Sequence, residues 1–195
     1  QRMSDTMDMR PIRQQDDDVL SELPGELMMW VLIASELLVF GAGLLACLGV
    51  RIANPAEVAA DPALFSRTAA AVNTLVLVTS GFCAAAAVRA RTAGRRGTAR
   101  RWLLAAGSLG IMFLAVKAFE YWSKAAVGIG IETSPFFTFY FLITGFHALH
   151  VVAGVALLAL VSWADSVRNM EAAVAFWHLV DLVWVLLFPI IYVLR

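Results

Sequence analysis

The chain has two cysteines, no CxxC pair, no glycine-rich phosphate loop and no nucleophile elbow. Cys47 and Cys83 both fall inside apolar runs where neither easily meets an oxidant, so the expected role of each is a small buried core residue rather than half of a disulfide. Without the other motifs, dithiol redox chemistry, nucleotide phosphate binding and serine-hydrolase chemistry lack their usual sequence basis. Net charge is missing as well. Fifteen basic and fifteen acidic residues cancel, so total charge points to no partner, nucleic acid included. The chain contains no repeat of about 20 to 50 residues and no strict GxxxG, which leaves packing to scattered small residues such as Gly41, Gly43 and Ala84 to Ala87.

What fills the sequence is apolar. Hydrophobic residues make up 61% of the 195, and the mean hydropathy is +0.77. Both values lie above the usual globular range, so the chain reads as an integral membrane protein. A hydrocarbon core of about 30 Å takes about 20 helical residues to cross. Five runs are long enough: roughly 27–50, 69–88, 102–122, 135–163 and 172–194. The expected fold is therefore all-α, a polytopic bundle of five transmembrane helices with its termini on opposite sides. The link between the second and third runs carries Arg89, Arg91, Arg95, Arg96, Arg100 and Arg101 with no acid, which the positive-inside rule assigns to the cytoplasm. That puts the N-terminus inside and the C-terminus on the opposite side.

Residues 1–22 are polar and acidic without apolar periodicity, and read as a mobile cytoplasmic tail ahead of a single transmembrane domain, 23–195. The tail carries Asp5, Asp8 and Asp16 to Asp18, and the first apolar run is too long for a cleaved h-region, so no signal peptide is expected. Pro24-Gly25 turns the chain into the first helix, where Glu26 suits the positive end of the macrodipole. Asn54-Pro55 and Asp61-Pro62 predict an ordered outer loop. Gly94 and Gly97 predict a tight hairpin on the cytoplasmic side. Ser134-Pro135 supplies an N-cap and a first helical residue for the fourth helix. Asp165 to Glu171 reads as a short inner turn, and Pro189 predicts a kink near the outer end of the last helix. Trp30, Trp102, Trp122 and Trp163 fit interfacial anchors.

Ionisable groups at bilayer depth are where function has to be sought, because each costs about 2.5–3.5 kcal/mol on insertion scales unless it meets a partner or water. Glu36 lies midway along the first helix. Lys117 and Glu120, three apart in the third, share a face and can pair, with Lys124 four beyond. His147 and His150 in the fourth helix, and His178 and Asp181 in the fifth, are likewise three apart, so each pair projects toward a neighbour. With Glu36 or Glu120 such pairs could ligate a metal, although the Glu-x-x-His motifs of di-iron bundles are missing. The plainer reading is interhelical hydrogen bonding, with Asp181 accepting from a histidine or an indole N–H. Trp184 lies deep, so its N–H needs a buried acceptor.

The segments LIASELLVFG (32–41), VNTLVLVTSG (72–81), KAFEYW (117–122), TGFHALHVVAG (144–154) and FWHLVDLVWVLLFPIIY (176–192) resemble subunit III of the haem-copper oxidases. They occur in the family's order and cover all five helices, and the last two are highly specific. Mitochondrial-type members have seven helices; this chain resembles the version lacking the first two, as in the five-helix forms that accompany bacterial quinol oxidases and a related set that accompanies nitric oxide reductases. The opening LPGELMMWVLIASELLVFG is more similar to the reductase-associated set. The resemblance implies an accessory subunit without redox centres, bound beside the subunit I-like catalytic chain, supporting its assembly, its proton uptake and its working life. Bound phospholipid, in a cleft that the two absent helices partly wall in the longer forms, is the one ligand it implies, along with contact to membrane lipids. By similarity Glu36 matches the family's buried carboxylate in the helix that packs on the catalytic subunit, and Glu120, His147, His150, His178, Asp181 and Trp184 match its other intramembrane polar positions. Three histidines in this chain fall short of the about six ligands a haem-copper centre needs.

Two other function classes follow from the same residues. A small proton-coupled transporter would use Glu36, Glu120 and Asp181 as relays, and would favour discontinuous helices and an inverted repeat. A metal-binding membrane enzyme would be built on His147, His150, His178 and Asp181.

Overall fold

The computed structural model describes residues 27–53, 67–163 and 166–193. The acidic segment 1–22, Glu26, the two Xaa-Pro pairs of the outer loop and Asp165 lie outside the described residues. Five helices account for nearly all the rest: α1 (Leu27–Ala53), α2 (Arg67–Thr92), α3 (Arg96–Ala126), α4 (Pro135–Trp163) and α5 (Val167–Phe188), the last continued by a π-helical turn, Pro189–Val193. Each is long and apolar enough to cross a bilayer, and the chain is a multi-pass membrane protein.

Local chemistry sets where the helices stop. At the end of α2, Gly94 takes φ 75°, its N–H bonds Arg91 O at 3.0 Å and the Arg95 N–H bonds Ala90 O at 2.9 Å. This is the Schellman pattern, with glycine at the left-handed position. Gly128 does the same after α3: φ 80°, with Gly128 N–H on Ala125 O and Ile129 N–H on Lys124 O, both 3.0 Å. Ser134 caps α4 through the Phe137 N–H at 3.4 Å, and Pro135 is the first helical residue. Ser166 caps α5 by accepting from Asn169 N–H. α3 begins six residues before the apolar run that announces it, because Arg96, Arg100 and Arg101 continue the helix through the headgroup zone with their charges exposed. Arg100 lies 4.9 Å over the Trp163 ring at the end of α4.

Lipid tails are as apolar as the core, so association rests on close packing and interhelical hydrogen bonds rather than on expulsion of water. α2 packs on α3 and α5, α3 on α4, and α4 on α5, closing a four-helix ring; α1 lies outside it against α4 and, over a smaller area, α5. Ala84, Ala87, Ala99 and Ala106 are fully buried along the α2–α3 contact. Gly43 approaches Ile143 closely, whereas Gly41 has open space around it. Gly110 and Gly154, the latter closing the TGFHALHVVAG segment, admit the Trp177 ring. Cys47 and Cys83 are both buried.

Proline 189 ends the α-helical bonding of α5 as its missing N–H requires, and the chain continues as a π turn rather than stopping. That turn leaves carbonyls to be satisfied. Arg51, buried in the last turn of α1, donates to Ile190 O at 2.7 Å and Ile191 O at 3.3 Å, tying the C-terminal end of α1 to the π turn that ends α5. Replacing Arg51 with methionine should weaken this tie by about 1.5–3 kcal/mol, the range for hydrogen bonds to a charged group. Cys47, one turn earlier and 1% exposed, reports on it: maleimide should label Cys47 faster in Arg51→Met than in the parent. Equal labelling rates would mean that α1 is held elsewhere.

Candidate functional site: three buried polar clusters

The first cluster is built on one carboxylate. Glu120 Oε2 receives Lys117 Nζ at 2.8 Å, and Glu120 Oε1 receives Lys124 Nζ, Tyr140 OH and Tyr192 OH, each at 2.8 Å. Lys117 spends its three protons on Glu120, on Tyr192 OH at 2.9 Å and on Tyr140 OH at 3.2 Å. Both lysines are buried, and Glu120 is partly exposed. The i, i+3 and i, i+4 spacing within α3 brings the charges together. Tyr140 comes from the first turns of α4, and Tyr192 is delivered by the π turn. The cluster therefore joins α3, α4 and the end of α5 by charge-assisted bonds. Beside it Tyr121 OH and Thr144 Oγ1 stand 2.6 Å apart, and Thr144 donates to Tyr140 O.

Deeper along α4 the two histidines part company. His150 Nε2 stands 3.1 Å from Glu36 Oε2 of α1, at ion-pair distance although not aligned as a hydrogen bond. Its Nδ1 lies 2.9 Å from the Phe146 carbonyl, which can only accept, so Nδ1 carries a proton. His147 is 1% exposed and goes elsewhere. Its ring stacks on Trp184 (centroids 5.2 Å, 28°) and meets the edges of Phe113 and Phe40. Neither of its nitrogens has a hydrogen-bond partner among the described residues.

The third cluster lies where α5 meets α2. Asp181 Oδ2 sits against Gly81, where a side-chain Cβ would collide with it, and 4.0 Å from His178 Nδ1, too far for a hydrogen bond. The indoles that Asp181 was expected to serve look past it. Trp177 Nε1 donates to Ser80 Oγ at 3.1 Å and Trp184 Nε1 to Thr74 Oγ1 at 3.0 Å, both on α2. Those hydroxyls give their own protons to Ala106 O and Ala70 O and keep lone pairs free to accept. Asn73, buried two turns before Ser80, reaches Phe113 O of α3 at 3.4 Å.

The helices thus keep Lys117, Glu120 and Lys124 together and part His147 from His150, although each set shares a face in sequence. Glu36, Glu120, His147, His150, His178 and Asp181 fall into distinct clusters, and among the described residues no three His, Cys, Asp or Glu side chains gather in a set that could hold a metal ion. Tyr140, Tyr192, Arg51, Ser80 and Thr74 were not singled out by the sequence. Of these Tyr140 had a signal: with Thr144 and His147 it makes an i, i+4, i+7 polar stripe on one face of α4.

The family model described as cytochrome c oxidase subunit III matches residues 26–195. The chain is 32% identical over 177 residues to cytochrome c oxidase subunit 3 of Thermostichus vulcanus, covering 84% of each protein. It is also 32% identical over 132 residues to the Synechocystis protein of the same description, and 36% identical over 134 residues to that of Corynebacterium diphtheriae. These two matches span 55% and 65% of the relatives' own lengths, less than two thirds.

Proposed function

We propose a function from one premise: the chain belongs to the cytochrome c oxidase subunit III family, whose members are non-catalytic subunits carrying no redox cofactor. This chain serves as the accessory subunit of a haem-copper oxidase complex in a bacterial cytoplasmic membrane, packed beside the catalytic subunit and supporting its assembly, sustained turnover and proton uptake. Its N-terminus is cytoplasmic and its C-terminus periplasmic, a reading supported by the six arginines gathered at the end of α2, the α2–α3 turn and the start of α3. The observation that carries the proposal is the polar interior. Two of its carboxylates meet groups of the same chain across helix boundaries, Glu120 with Tyr140 and Tyr192 and Glu36 with His150, in the way a scaffold uses them. A transporter reading would favour helices broken at mid-depth, and α1 to α4 each run unbroken for 26 residues or more.

Deleting the chain should leave the haem spectrum of the assembled complex intact while sustained turnover declines faster than in the complete complex. Loss of that spectrum in an otherwise assembled complex would contradict the proposal. A nitric oxide reductase partner is the second reading, favoured by the opening 23–41 segment. Consumption of nitric oxide rather than oxygen by the purified complex would select it.

A further inference from the structure

The α5 helix is the most enclosed of the five, yet one stripe of its middle and later turns is uncovered: His178, Leu182, Val185 and Leu186, spaced i, i+4, i+7 and i+8. α2 flanks the stripe on one side. Because α1 lies outside α4 and α5, it bounds the other. His178 is the twelfth residue of a 27-residue span, Val167–Val193, and so lies near the membrane midplane. Its side chain is 46% exposed there.

That combination is unfavourable against lipid. Acyl chains offer no hydrogen bond at that depth, headgroups do not reach it, and ionisable side chains inside membranes almost always face protein or water. The neighbouring carboxyl adds to the deficit. Asp181 is wedged against Gly81 of α2, its Oδ1 has no hydrogen-bond partner among the described residues, and its Oδ2 stands 4.0 Å from His178 Nδ1. Two polar groups thus leave hydrogen-bonding capacity unused along one seam, between exposed apolar residues that suit a passing helix.

We propose that the α2–α5 seam at His178 is the docking site for one transmembrane helix of the catalytic subunit, which presents a hydroxyl or carboxamide side chain to His178 and Asp181 near the midplane. The identity of the partner rests on the function proposed above. A hydroxyl or carboxamide both donates and accepts, so it satisfies either tautomer of the imidazole. Leu182 and Val185 supply the apolar contact on the outer side of that polar point.

The test uses the whole complex from native membranes, with a photo-crosslinking residue at Leu182 and, as control, at Ile111, exposed at mid-length on α3 across the ring. Crosslinks from Leu182 to the catalytic subunit, and none from Ile111, are expected. His178→Leu should reduce the catalytic subunit retained after detergent challenge about three- to tenfold, the range for interhelical hydrogen bonds in membranes. His178→Gln should restore most of it. Leu182 adducts found only on lipid, or only on a second copy of this chain, while the parent still co-purifies with the catalytic subunit, would overturn the docking site and leave the function standing. A parent preparation without any catalytic subunit would overturn both.

Discussion

Glu120→Gln should cost the bundle about 3 kcal/mol, the lower end of the range for breaking a buried ion pair, because Glu120 is 22% exposed near the C-terminal end of α3. The amide keeps the shape and removes the charge that Lys117 and Lys124 share. Lys117, 4% exposed at its side chain, then holds a buried ammonium without its acid, while Tyr140 and Tyr192 lose a charged acceptor for a neutral one. Denaturation in detergent followed by tryptophan fluorescence would read the loss, since Trp184 lies 5.3 Å from Lys117 Nζ. Removing the cation as well isolates the cause. Glu120→Gln combined with Lys117→Met should be more stable than Glu120→Gln alone, giving a coupling of about 1 kcal/mol or more. The control is Glu171→Gln, at an exposed position of α5, where a change within about 0.5 kcal/mol is expected. A Glu120→Gln protein as stable as the Glu171→Gln protein would show that the cluster contributes no net stability.

That cluster illustrates what the sequence discloses and what it hides. Lys117, Glu120 and Lys124 share a face by spacing alone, so their pairing is legible from the chain. Tyr192 is not. It reaches Glu120 through the π turn after Pro189, whose wider spacing breaks any helical extrapolation from α5. The same turn frees the carbonyls that recruit Arg51, a residue that reads from sequence as the start of an outer loop. Helix ends show a similar division. Ser134-Pro135 states the start of α4 outright, whereas α3 and α2 extend past their apolar runs because hydrogen bonding continues where hydropathy has already fallen. His147 and His150 look equivalent on paper. Only the packing of α1, Phe113 and Trp184 sends one to a carboxylate and the other into an aromatic cage.

Gly154→Ala should destabilise the bundle by about 1–3 kcal/mol although it adds a single methyl group. Trp177 is fully buried, its ring held between α3 and α4. A Cβ at Gly154 would stand 2.5 Å from its Cε3, and one at Gly110 would stand 2.6 Å from its Cη2. The ring has little freedom to withdraw, because Nε1 is tied to Ser80 Oγ on α2 and Ser80 to Ala106 O on α3. Steric strain of this kind does not depend on the surrounding solvent, so the usual weakness of burial energies in lipid gives no relief. The added methyl must therefore displace either the indole or α4 itself. Trp177→Phe distinguishes these outcomes. Alone it should be destabilising, through lost contacts and the lost indole bond, yet in the Gly154→Ala background the smaller ring makes room for the methyl group. The double variant should then be more stable than the sum of the two single losses predicts, by about 1 kcal/mol, in the same denaturation measurement. Strict additivity would mean that α4 moves away as a unit and that the indole does not set the spacing of the ring of helices.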